Sequence, residues 1–432
     1  MTTSGATTVK TAVILSARGM PMFRPDLIED PAAKRLVLIV SEPEWAATPE
    51  KVKGYFDQVY VEPCAYEDPS ALINSAVEPA AARRALKEIT AAAEAGTVTL
   101  HCYDELFMMF AAELRAEFGL GGPLPSDMLP YRDKCVMKDR LVGSGVRFPR
   151  FRRFDQERFE RDRTGYFTWI VAEVGLPFVL KPVDSAGSEG VRQINSLADF
   201  NALPESFEGG SCEVEEFVTG TMYSVNLVTE GGRTVFAGVT EYLVNTLEVV
   251  QGRVNADINL RDDDPRVPRM VAFAEKALNT LGRLDGSTHL ELFLTPRDEM
   301  VFLEVGARFK GLAGLAAMQR NYAAAIVNMT LQAESGIASR PYPDPPEYCF
   351  DAVIPKRAGL VEKLNEPEIQ SPFEITWKVR EGEELASTDS LFTAGGTFLV
   401  WNQDFDVLYR DFYALADYRP ITYRSQEEKE SA

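Results

Sequence analysis

The sequence predicts an α/β protein whose N-terminal part is an open parallel sheet. Three observations carry that expectation. Short apolar, partly β-branched runs are interleaved with a helix-like stretch in the first 125 residues. Strand-like runs dominate much of the remainder. No apolar run reaches the roughly 18 residues that a membrane span needs.

The chain has 432 residues, which at roughly 150 residues per domain suggests about three structural units. Apolar residues make up 45% and charged residues 25%, ordinary globular usage that excludes a disordered or collagen-like chain. The formal net charge of −20 argues against a broad nucleic-acid or anionic-membrane surface, but leaves room for a local basic pocket. Five scattered cysteines with no CxxC spacing read as reduced thiols of a cytoplasmic protein. With only His101 and His289, a multi-histidine metal centre is excluded.

In chain order, TAVILSA (Thr11–Ala17), RLVLIVSE, QVYVEP and TVTLHC read as buried parallel strands, and Glu78–Ala95 as a helix before the last of them. TAVILSA is too short for a signal-peptide core and fits a buried strand better. The loop after it, SARGM, has one glycine and lacks GxGxxG, so support for a dinucleotide site there is weak. GLGGPLPSD, about residues 119–127, is a break rich in Gly and Pro. YRDKCVMKDRLVGSG follows as a charged amphipathic helix. Phe178–Val191 is a strand entering a Gly/Ser-rich turn, and Cys212–Val228 and Val235–Val244 are strand-like. A helix spans about Pro268–Leu281, the strands HLELF and MVFLE flank a turn at TPRDE, the last 85 residues mix strands and turns, and the charged tail SQEEKESA frays.

Three segments carry chemistry. A turn centred on Arg297–Asp298 puts Glu291 directly opposite Glu304, with Cβ atoms about 5 Å apart. Facing carboxylates repel unless a cation lies between them, and Mg²⁺ takes carboxylate and phosphate oxygens. The alternative is a register slipped by one, or one Glu in solvent. In FVLKPVDSAGSEGV, Lys181 closes a strand, and Gly187 and Gly190 flank Ser188 in a loop whose N–H groups can approach a phosphate. Taken alone, that segment reads better as a plain hairpin turn with a surface Lys, and no Walker A loop is present. In CEVEEFVTG, Glu215, Glu216, Phe217 and Val218 can offer strand-edge backbone groups to a flat heterocycle, or can be an acidic edge strand that blocks aggregation.

Taken in order from about Tyr131 to Gly314, these segments resemble the ATP-grasp superfamily, and within it the carboxylate–amine ligases of the L-amino-acid ligase (dipeptide synthetase) type. The residues that carry the resemblance are RDKCVMKDRLVGSGVRFPRF, LPFVLKPVDSAGSEGV, CEVEEFVTGTMYSV and GSTHLELFLTPRDEMVFLEVGARFKG. It implies an ATP-grasp fold of α+β lobes behind an N-terminal α/β domain (1–125), with a small lobe carrying the phosphate loop (126–217), a large lobe carrying the metal site (218–345) and a C-terminal part completing it (346–432). It further implies ATP as cosubstrate and Mg²⁺ as metal, one or two ions, with Mn²⁺ as a substitute. Lys134 and Lys181 would meet the phosphates, with Lys138 a second candidate. Gly187, Ser188 and Gly190 would cover the phosphates, and backbone atoms of Glu216 and Val218, within the stretch Glu215–Val218, would read the base. Glu291 and Glu304 would hold the metal, and Arg308 would stabilise the acyl phosphate and the tetrahedral intermediate. Two departures stand out: Gly306 occupies a place where many relatives have Asn, which puts a second metal in doubt, and Met222 stands near a place where some have an acidic ribose contact.

The implied reaction is amide formation from a carboxylate and an amine through an acyl phosphate, releasing ADP and phosphate, with Asp184–Gly190 as the water-excluding lid. Rival readings are a kinase-like or carboxylase-like member of the fold and a non-catalytic nucleotide-binding protein. His289 shares a strand face with Glu291 but reads better as a satisfied structural His. The substrate pocket falls in segments without a readable code, including Glu241–Asp257 and the C-terminal part. The partners implied are small molecules and, at most, a second copy in a homodimer.

Overall fold

The computed structural model describes residues 9–67, 74–205, 211–311, 313–388 and 391–424. The tail expected to fray, Ser425–Ala432, lies outside them.

The first strands are β1 (Lys10–Leu15), β2 (Lys34–Ser41), β3 (Gln58–Glu62) and β4 (Val98–Cys102), all parallel, in the order β3-β2-β1-β4. β1 and β2 read as unbroken apolar runs because both their faces are covered. Val13, Leu15, Val37 and Ile39 pack on the helix Pro79–Ala92 through Ala82, Ala85, Leu86 and Ile89. Glu78 caps that helix by accepting from the N–H groups of Ala80 and Ala81. On the other face Ile14, Leu36 and Leu38 meet Leu315, Ile326, Val327 and Leu331 from helices far along the chain. One continuous core therefore fastens the N-terminal sheet to the rest of the molecule.

The next sheet holds β5 (Phe151–Arg153), β6 (Phe178–Pro182), β7 (Arg192–Ile194) and β8 (Cys212–Glu216) in the antiparallel order β5-β8-β6-β7. This corrects the edge-strand expectation for CEVEE: β8 has a partner on each side. Glu213 and Glu215, two residues apart, share one of its faces and are buried there.

The largest sheet has eight antiparallel strands. They are β9 (Thr221–Glu230), β10 (Arg233–Tyr242), β11 (Asn255–Asn259), β12 (Gly286–Leu294), β13 (Met300–Gly306), β14 (Tyr348–Ile354), β16 (Phe373–Trp377) and β18 (Gly396–Asn402), in the order β13-β12-β9-β10-β11-β14-β18-β16. β15 (Gly359–Leu364), β17 (Glu384–Leu385) and β19 (Ile421–Tyr423) form a small separate sheet. Val225, Leu227, Leu290, Leu292 and Phe302 point to the helix Arg266–Leu281 and to Met137 and Leu141. Alternation then turns Met222, His289, Glu291 and Phe293 to the opposite face, where they line a cleft.

Glu291 does pair with Glu304, but the turn between them is not where the sequence reading put it. The pairs Leu294↔Met300 and Leu292↔Phe302 centre the turn on Arg297, and that register would carry Glu291 to Leu303. A bulge at Leu303 supplies the extra residue that restores Glu291 to Glu304. The bulge also breaks the alternation, so that Leu303 and Glu304, successive residues, both reach the cleft.

Candidate functional site

The cleft has a volume of about 470 Å³ and is walled by residues from early, middle and late in the chain, from Arg18 to Leu391. The helix Lys134–Leu141 brings in Lys134 at its first turn, where Asp133 caps the helix by accepting from the N–H groups of Cys135 and Val136. Lys134 donates to the Ser185 carbonyl at 2.9 Å and lies 3.5 Å from Glu304 Oε2. Lys181, at the end of β6, reaches Glu215 at 2.7 Å and Glu304 at 3.9 Å. Two ammonium groups thus converge on Glu304. Although burial works against it, Lys134 and Lys181 hold that carboxyl below the ordinary range.

Glu291 has no comparable cation. Burial, and then the facing charge of Glu304, push its carboxyl up to about 7, while Tyr242 donates to it at 3.0 Å. A two-carboxylate site with one member left uncompensated fits a hard divalent cation whose other ligands are phosphate and water oxygens. Among the described residues no group of three or more His, Cys, Asp or Glu side chains is arranged around a single metal position, so a cation held here would have these two carboxylates as its protein ligands. At Gly306 an added Cβ would lie 3.5 Å from Glu105 Oε1 and 3.4 Å from the Arg308 side chain. A larger residue there would share its space with that pair.

His289 is buried, with Nδ1 2.7 Å from Asn226 Oδ1 and Nε2 3.4 Å from Glu291. Burial, and then the charges of Arg308 and Lys310, lower it to about 3, so the ring is neutral and Nδ1–H is assigned as donor to Asn226. This is the satisfied histidine that the strand pattern favours, although its other edge faces the cleft.

Lys138 requires a correction. It does not line the cleft; it is completely buried beneath it, 2.5 Å from Glu213 Oε1 and 2.5 Å from Glu215 Oε2. Lys134, one turn earlier on the same helix face, lines the cleft instead. Against the cost of burial, Lys138 and Lys181 lower Glu215 to about 2. The carboxylate of Glu215 is therefore the internal counter-ion of two lysines.

The loop after β6 puts Gly187 and Ser188 on the cleft. Gly190, at φ +73°, serves the turn instead: a Cβ there would sit 2.9 Å from the Pro182 ring. The Gly187 carbonyl accepts from the Leu391 N–H at 3.0 Å, tying the loop to the C-terminal part. Glu216, Phe217 and Val218 line the wall beside Leu303, Met222 and Phe293. The Glu216 N–H already donates to the Arg150 carbonyl, and its carboxylate holds Arg147 and Arg150. A flat base would have to be read by groups other than that N–H.

Arg308 lies on the cleft with Nε 2.5 Å from Glu105 Oε2. Glu105 comes from just after β4, and the sequence reading missed it because only tertiary contact brings it to Arg308. It also missed the pair Arg18–Asp104, at 2.9 Å, and the buried group in which Lys310 reaches Asp257 at 2.8 Å and Asp351 at 3.3 Å. The segment Glu241–Asp257 and the C-terminal part do contribute wall, through Tyr242, Leu247, Asn255, Val353 and Leu391.

Residues 131–312 match the family model described as an ATP-grasp domain. The chain is 24% identical over 220 residues to an L-arginine-specific L-amino acid ligase of Bacillus subtilis, covering 48% of this chain and 49% of that protein. It is 26% identical over 215 residues to an uncharacterised protein of Sinorhizobium fredii, covering 48% and 42%. The matched region spans less than half the length of these curated relatives. The crystal structure of an L-amino acid ligase from Bacillus licheniformis superposes with a TM-score of 0.65 at 15% identity, covering 97% of this chain and 100% of that one, a likeness of fold.

Proposed function

Because this chain carries an ATP-grasp domain over residues 131–312, we propose that it is an ATP-dependent carboxylate–amine ligase, joining an amino acid or a small carboxylic acid to an amine through an acyl phosphate. The observation that carries the reading is the convergence of Lys134 and Lys181 on Glu304, opposite Glu291, in one cleft with Arg308. A pure binding module has no use for two facing carboxylates beside a half-buried guanidinium.

The chemistry sets the division of labour. A carboxylate is a poor acyl donor until its leaving oxygen becomes a phosphate. Phosphoryl transfer is catalysed mainly by positioning and charge neutralisation. Lys134 and Lys181 would bind the polyphosphate as point charges, and Glu291 and Glu304 would hold Mg²⁺. A metal bound there would supply neutralisation of the phosphate charge. Gly187 and Ser188 would bring backbone N–H groups over the phosphates, and the Asp184–Gly190 loop would keep water from the acyl phosphate. Arg308, fixed by Glu105, would stabilise the oxyanion as the amine attacks; one good donor in such a place is worth about 3 kcal/mol.

The test is a matrix of paired carboxylates and amines, beginning with the twenty amino acids, assayed for phosphate release and for product mass. Amide with stoichiometric ADP and phosphate supports the ligase. A stable phosphorylated or carboxylated product instead of an amide would replace it with the kinase-like or carboxylase-like reading. No ATP turnover with any pair would leave a nucleotide-binding protein.

A further inference from the structure

The strand order β3-β2-β1-β4 has its switch point between β1 and β4: from β1 the chain moves to one side through β2 and β3, and β4 returns to the other. In open α/β sheets the crevice at the carboxyl ends of two such strands is the natural place for a ligand. Here the two loops leaving that crevice, Ser16–Met22 after β1 and Tyr103–Leu106 after β4, form one wall of the cleft.

The first loop is held in a costly shape. Ser16 sits at φ +80°, a region disfavoured for a residue with a side chain. Buried Glu44 keeps it there, accepting from Ser16 Oγ at 2.7 Å and from the Ala17 N–H at 3.0 Å. Two residues on, Arg18 is aimed by Asp104, 2.9 Å from its Nε. Asp104 is itself fixed, accepting from Ser75 Oγ at 2.6 Å and from the Leu106 N–H at 3.1 Å. The Asp104 side chain is 1% exposed and that of Arg18 is 32% exposed, so the anchor is sealed while the guanidinium stays open to the cleft. Among the described residues the ion pair of Arg18 is made at Nε, with Asp104. Met22, Tyr103 and Phe309 line the cleft beside it, and an apolar surround strengthens any ion pair formed there.

The next residue, Glu105, holds Arg308. Consecutive acids after β4 thus orient two guanidinium groups toward one space. We propose that Arg18 anchors the non-reacting carboxylate of the amine substrate, so that the acceptor is an α-amino acid or a peptide rather than a simple amine. This rests on the ligase reading for the role of the bound molecule. The carboxylate to be activated has to lie beside Lys134, Lys181 and Glu304, and the acceptor then approaches Arg308 from the wall that carries Arg18.

The test needs no turnover. Saturation-transfer NMR on the full chain compares each of the twenty L-amino acids with its own α-carboxamide. At least one acid should bind where its amide does not. Arg18→Gln should weaken that acid about 10- to 150-fold, the range for a hydrogen bond to a charged group, with folding checked by circular dichroism. Arg18→Lys, which keeps the charge and loses the planar fork, should fall between, and it decides the matter if the Gln variant does not fold. Equal binding of acid and amide, no binding by any acid, or wild-type affinity in the Arg18 variants would overturn the proposal. A chain that shows acid-selective, Arg18-dependent binding and yet turns over no ATP would sink the ligase reading and leave the anchor standing.

Discussion

Replacing Lys138 by Met removes a cation that never meets solvent. In the intact protein its ammonium sits 2.5 Å from both Glu213 and Glu215, and the side chain is completely buried. Without it Glu213 and Glu215 keep only Lys181, which already faces Glu304 as well. Breaking a buried pair from one side typically costs about 3–5 kcal/mol. The carboxyl of Glu215 gives a second route to the magnitude. Despite the cost of burial, Lys138 and Lys181 take it from the usual 4.5 to about 2. At about 1.4 kcal/mol per tenfold that is roughly 3 kcal/mol, shared between the two lysines. The sign follows from linkage. A depressed carboxyl contributes stability that is fully present above pH 4.5 and lost as pH falls towards 2. In Lys138→Met part of that depression is lost, so the variant's deficit is full above pH 4.5 and shrinks as pH falls from 4.5 towards 2. Urea unfolding followed by circular dichroism at pH 7 and at about pH 3 measures this. A variant with the wild-type midpoint at pH 7, or one whose deficit does not shrink at the lower pH, would refute the account of Lys138 as a buried counter-ion.

Other perturbations follow from the same geometry. Glu304→Ala should abolish ADP formation while leaving the thermal midpoint within a few degrees of wild type, because the side chain is partly open to the cleft; wild-type-like turnover would end its assignment as a metal ligand. Arg308→Ala should cut amide formation about 100-fold or more, read by product mass, and retained coupling would remove Arg308 from the transition state. Gly19→Ala should destabilise by about 1–3 kcal/mol in thermal unfolding, since the residue sits at φ +85° and a Cβ there would lie 2.2 Å from the Phe309 ring. An unchanged midpoint would mean that the loop after β1 does not press on Phe309 as described.

Much of the architecture was legible from local pattern. The apolar runs of β1 and β2, the Glu78-capped helix and the alternating face of β12 follow from burial and from a two-residue or 3.6-residue repeat, which are properties of neighbours in the chain. The ordered motifs also pointed to Lys134, Lys181, Glu291, Glu304 and Arg308, and these do line one cleft. The register beside the turn of that hairpin was expected one residue off, and the facing acids were recovered only because a bulge at Leu303 compensates. Nothing in a linear pattern announces such a bulge, since it is set by what packs on either side of the strand.

The sequence by itself determined which segments become strands and helices and which side chains carry charge toward a common cleft. The tertiary structure alone decided how those charges are neutralised. Lys138 meets Glu213 across 75 residues, and Arg308 meets Glu105 across 203. A buried ion is tolerable only beside its counter-ion, and that partner is chosen by three-dimensional packing, with no requirement that it lie near in the chain.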